Sequence, residues 1–279
     1  MGSNRFETPG TVKRNRRTPL RRASAAPVAI DALVERVLAE LRAAGSPARA
    51  KGAAAYFKAY EKLAFFGVDS PTVRRLTSRL RREDARDWDL TDAARFADTM
   101  LRQPQLEAKG LGVCLLGKFR SRFTPSLLAR TRRWLATRCT DWASTDNLCG
   151  EVVGPLLADQ PHLVPKLREW RRSRRLYVRR ASAVALIPLA RRGEALDDAY
   201  QAALALGGEG HHLLQKAAGW LLREAGKADM PRLERFLRRH GPVLSRTTVA
   251  YAIERFPPLQ RKALLASTRA KRHRSGRPD

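Results

Sequence analysis

Acidic residues are scarce in this chain. Its 279 residues include 27 Asp and Glu against 55 Lys and Arg, a formal charge of +28 with His neutral. That balance argues against an enzyme of free cationic metabolites. It argues for a polyanionic partner, nucleic acid before an acidic membrane surface. Cysteine is also scarce: Cys114, Cys139 and Cys149 form no CxxC and no even framework. A reducing compartment fits that usage, and no structural zinc is implied. The five histidines (His162, His211, His212, His240 and His273) show no H-x-x-x-H spacing, so no metal site is expected. Long apolar runs are missing too. The longest, residues 181–190, contains Pro188 and falls short of the roughly 18 residues a membrane span needs, so no membrane insertion is expected. There is no Rossmann or P-loop glycine pattern and no β-hairpin signal.

What is present is charge and helical periodicity. Hydrophobic residues make up 43% of the chain, which excludes full disorder. Most cations are Arg, whose planar fork suits phosphate better than Lys does. Residues 1–27 carry +6, with Glu7 the one acid, and residues 267–279 carry +4. Both read as basic tails, the first of them disordered. The body, residues 28–266, keeps +18 and is basic in its own right.

That body reads as helix after helix. Ile30, Leu33, Val34, Val37, Leu38 and Leu41 form a 3.6-residue stripe over residues 29–44. Ser46-Pro47, Ser70-Pro71 and Thr124-Pro125 place a capping hydroxyl before a Pro at the first helical position. Further helices are predicted over 71–82, 91–102, 105–119, 125–138, 145–158, 161–172, 175–191, 195–206, 210–226, 230–239, 245–254 and 258–266. Gly67, Gly193, Gly207, Gly226 and Gly241 stand where C-caps are wanted. The expected fold is all-α: helix pairs stacked as a HEAT-like α-α superhelix, a curved solenoid of antiparallel pairs, with a globular bundle as the alternative.

Three stretches could carry chemistry, and each has a plain structural reading beside it. Lys216, Trp220, Arg223 and Lys227 share one face of the 210–226 helix and suit a phosphate-and-sugar surface. Equally, they could be a boundary Trp covered by cationic stems. Six Arg lie within residues 171–180, including Arg179 and Arg180 inside the helical pattern; a solvated charge run is the alternative. In Asp141-Trp142-Ala143-Ser144-Thr145-Asp146, Ser144 or Thr145 could cap a helix with Asp146 complementing the dipole in its first turn.

Four segments, in order over about residues 45–260, resemble the AlkD-type HEAT-like repeat alkylpurine DNA glycosylases of the DNA alkylation repair family. They are Tyr56-Phe57-Lys58 with Phe65-Phe66-Gly67-Val68, Pro71 and Arg74-Arg75; Asp141-Trp142 to Asp146; Val178-Arg179-Arg180-Ala181; and Lys216-Ala217-Ala218-Gly219-Trp220-Leu221-Leu222-Arg223-Glu224. The resemblance implies a superhelix that grips duplex DNA. By position it makes Asp146 the catalytic carboxylate and sets Trp142 and Trp220 against the lesion's deoxyribose. It makes Arg179 or Arg180 a DNA-backbone arginine; Lys216, Arg223, Tyr56 and Lys58 are further candidates for backbone contact. Ala143 departs from close relatives and is expected to open the wall beside Trp142.

The reaction so implied is hydrolysis of the N-glycosidic bond of cationic N3- or N7-alkylated purines in duplex DNA. The cationic base leaves without a general acid, and Asp146 stabilises the oxocarbenium-like sugar and orients water. The base is not inserted in a pocket, and no metal or organic cofactor is required. A bacterial-type cytoplasmic repair enzyme, nucleoid-associated when bound and monomeric, is the expectation. A non-catalytic HEAT-repeat nucleic-acid-binding or scaffold protein is the alternative.

Overall fold

A computed structural model of the chain describes residues 27–58, 61 and 63–268. Most of both basic tails lies outside the described residues. Within them the protein is all-α, without a strand. The helices are α1 (Pro27–Ala43), α2 (Pro47–Ala54), α3 (Ser70–Arg82), α4 (Leu90–Leu101), α5 (Leu106–Gly117), α6 (Ser126–Thr137), α7 (Trp142–Leu148) and α8 (Gly154–Asp159). They continue with α9 (Leu167–Arg171), α10 (Leu176–Val184), α11 (Ile187–Arg191), α12 (Leu196–Gly207), α13 (His212–Ala228), α14 (Met230–His240), α15 (Arg246–Ala252) and α16 (Pro258–Ser267). None of the described helices is long and apolar enough to cross a membrane.

Packing follows the order of the chain. Helices two or three apart in the chain touch in a row, α3 on α5, α5 on α7, α7 on α10, α10 on α13 and α13 on α15, while α4, α9 and α12 each pair with the helix that follows. A single hydrophobic core runs from Ile30 to Leu264. This neighbour-to-neighbour order is consistent with an α-helical solenoid.

The predicted helix over 145–158 is interrupted. A π-helical turn, Cys149–Val153, separates α7 from α8, with the Gly154 amide bonded back to the Cys149 carbonyl. The predicted helix over 175–191 also divides, because Pro188 at the start of α11 has no amide to continue the ladder. Two expected caps move by one residue. Asp69, not Ser70, caps α3, and Pro125 precedes α6 without any side-chain cap. Ser46 does cap α2, accepting from the Arg49 amide. Among the expected C-cap glycines only Gly67 and Gly193 take positive φ, 77° and 82°. Gly226 instead lies inside α13, where a Cβ would come within 2.4 Å of Leu233.

Candidate functional site

The site begins with how α7 starts. Asp141 caps it: the carboxylate accepts from the Ser144 amide at 2.6 Å and the Ser144 hydroxyl at 2.8 Å. The Thr145 hydroxyl donates to the Asp141 carbonyl at 2.8 Å. Ser144 and Thr145 are therefore helical residues, not caps. Asp146 is not in the first turn either, and no acid lies there. The dipole reading of Asp146 fails for that reason, since the free amides are one turn behind it. A buried lysine braces the same region. Lys109, 4% exposed, donates to the Leu101 carbonyl at 2.9 Å and the Arg138 carbonyl at 3.0 Å. Burial lowers its pKa, and the nearby Asp141 charge opposes that shift.

Asp146 projects onto α10. Arg180 Nε donates to one carboxylate oxygen at 2.8 Å and Nη2 to the other at 2.7 Å. The third nitrogen, Nη1, donates to the Leu213 carbonyl of α13 at 2.5 Å. The Arg180 side chain is 6% exposed and that of Asp146 16%, so the pair is largely but not wholly buried. Burial pushes the Asp146 pKa above its ordinary value, and the guanidinium opposes the shift. The two adjacent arginines thus separate in space. Arg180 holds Asp146, whereas Arg179 turns to an ion pair with Glu209.

Trp142 lies one helical turn before Asp146. Its ring stacks on Phe57 with centroids 5.2 Å apart and planes 16° from parallel, and Phe57 in turn meets Phe65 at 5.5 Å. The buried carboxylate of Glu61 fixes this contact, accepting from the Lys58 amide at 3.0 Å and the Trp142 amide at 3.4 Å. Tyr56 is 84% exposed beside it, and the Lys58 side chain is exposed. A cleft of about 570 Å³ opens next to this aromatic group, lined by Tyr56, Phe57, Cys114, Trp142, Ala143 and Asn147.

Trp220 lies on α13, half-buried against the core. The preceding Gly219 lets α13 approach α15: a Cβ there would meet Tyr251 Cβ at 2.5 Å and the Thr248 carbonyl at 2.7 Å. On the same helix Lys216 is exposed and forms no ion pair among the described residues. Arg223 pairs with Glu254, and Lys227 bonds the buried Glu224 at 2.6 Å. The basic face read from the sequence is therefore partly neutralised.

The candidates from α7, α10 and α13 belong to three successive helices of the packed row. Sequence reasoning missed Glu61, Lys109 and the Leu213 carbonyl, and gave Phe57 no role beyond its place in the Tyr56-Phe57-Lys58 motif. Nothing in the spacing of the missed groups marks them, because each acts across a turn or between helices. Among the described residues no cluster of three or more His, Cys, Asp or Glu could hold a metal ion.

A model of the family described as DNA alkylation repair enzyme matches residues 37–256. A solved structure described as a predicted DNA alkylation repair enzyme from Enterococcus faecalis superimposes with a TM-score of 0.69 at 17% identity. The match covers 77% of this chain and 97% of that one, and at this identity it speaks for the fold. No curated protein matches the chain.

Proposed function

Because the chain belongs to the DNA alkylation repair enzyme family, whose partner is DNA, we propose that it is a DNA glycosylase for cationic N3- and N7-alkylated purines. The observation that carries this reading is the Asp146–Arg180 pair: a largely buried carboxylate, held by two nitrogens, whose side chain keeps 16% of its surface exposed. A carboxylate has about four lone-pair sites, and a bidentate guanidinium uses two of them. The rest can face a sugar cation or hold a water.

An alkylated purine already carries positive charge, so its departure needs no proton. As the glycosidic bond lengthens, charge moves to the sugar, and a fixed carboxylate there lowers the barrier without reorganising. Arg180 is then a positioning residue: it keeps the carboxylate ionised and immobile. Trp142 and Trp220 would pack against the deoxyribose and attract it more strongly as charge develops. Exposed Lys216, Lys58 and Tyr56 are the readiest backbone contacts. Arg179 and Arg223 would exchange Glu209 and Glu254 for phosphate. The protein would act as a monomer on duplex DNA in the cytoplasm.

The test is release of 3-methyladenine or 7-methylguanine from methylated duplex DNA by the purified protein. Asp146→Asn should remove release while duplex binding persists. Equal release by that variant would remove Asp146 from the mechanism. A second reading draws on the same pair. Asp146 is already matched by Arg180, as in a purely structural ion pair, and a non-catalytic DNA-binding module would show binding with no release by the wild type.

A further inference from the structure

The Arg-rich stretch at residues 171–180 is only partly used by the Asp146 site. Three of its other arginines, Arg171, Arg172 and Arg179, line a cleft of about 540 Å³ between α9, α10 and α12, together with Arg168, Gln201 and Glu209. Both acids in reach are engaged: Glu209 pairs with Arg179, and Asp198 pairs with Arg168 at 3.2 Å. Neither Arg171 nor Arg172 forms an ion pair among the described residues. Nε and Nη2 of Arg171 are buried and have no hydrogen-bond partner among the described residues. Burial pushes the Arg171 pKa down; Asp198 opposes this, and Arg168 and Arg172 add to it.

A guanidinium does not deprotonate in a protein, so Arg171 stays charged with two donors unmet. Four arginines against one glutamate leave the cleft cationic, and the partner that fits is an oxyanion. We propose that this cleft is a phosphoryl-binding site separate from Asp146, with Arg171 as its floor and Arg172 at its rim. Two sources offer that chemistry: a backbone phosphodiester of bound DNA, and a free phosphate or phosphomonoester. The site does not rest on the chemistry assigned to Asp146.

The experiment compares the full wild-type chain with Arg171→Gln and Arg172→Gln. Duplex affinity is followed between about 50 and 200 mM salt, where each phosphate contact adds about 0.9 to the slope of log K against log salt. In parallel, inorganic phosphate is titrated while the melting temperature is read. A slope shallower by about one in the variants assigns the cleft to the DNA backbone. An unchanged slope, with phosphate raising the melting temperature of the wild type alone, assigns it to a free phosphate. If neither quantity differs among the three proteins, the proposal is overturned. If Arg171→Gln fails to fold, Arg172→Gln, an exposed rim position, supplies both readings. Base release by the wild type and its loss in Asp146→Asn are scored separately, so failure here leaves the glycosylase reading intact.

Discussion

Arg180 meets both carboxylate oxygens of Asp146 and ties them, through its third nitrogen, to the Leu213 carbonyl of the next helix in the row. Removing one partner strands the other in a nearly dry site. Arg180→Ala should cost about 3–5 kcal/mol in urea unfolding. The double variant with Asp146→Ala should recover part of that loss, because the unpaired carboxylate is then gone. Additive losses would show that the two side chains do not act as a pair.

The pH dependence of base release follows from the same burial. On the proposed function Asp146 works deprotonated, and its pKa is raised above the ordinary aspartate value of 3.8. Single-turnover release, corrected for spontaneous loss of base, should therefore fall as pH falls, with its midpoint above that value. A rate that held down to the ordinary aspartate range would contradict the role given to Asp146.

Trp142 and Trp220 should contribute as the sugar becomes cationic. Each truncation to Ala should slow single-turnover release about 2- to 30-fold, the equivalent of about 0.5–2 kcal/mol. Phe57→Ala should slow it as well, through Trp142, whose ring it supports. Trp142→Phe should restore part of the rate. Truncations that changed only duplex affinity would make the tryptophans binding residues.

Two glycines should respond in opposite directions to Ala. Gly219→Ala forces a Cβ into Tyr251 and the Thr248 carbonyl; such overpacking costs about 1–3 kcal/mol. Gly52, in α2, has nothing within 4 Å of its built Cβ, so Gly52→Ala should stabilise by about 0.4–1 kcal/mol. Thermal melts of the two variants check both signs.

Helix identity was legible because amphipathic stripes such as Ile30 to Leu41 repeat at a local period. The interruptions were not. Residues 149–153 carry no proline, and their π-turn is not written in the spacing of apolar residues. The caps at Asp69 and Asp141 were missed in favour of neighbouring hydroxyls, although an aspartate caps as well as a serine. Of the candidate site, Asp146, both tryptophans and the Arg179–Arg180 pair were nameable from ordered motifs. Which arginine faces the carboxylate was not, because the partners lie 34 residues apart and meet only when α7 packs on α10.

Asp146 and Trp142 precede the short α9–α10 connection, whereas Arg180, Leu213 and Trp220 follow it. A break in that connection would leave the carboxylate on one fragment and its clamp on the other. On the proposed function neither fragment would hold a reaction centre of its own, and excision by the mixed halves would report their reassembly, as in a split enzyme.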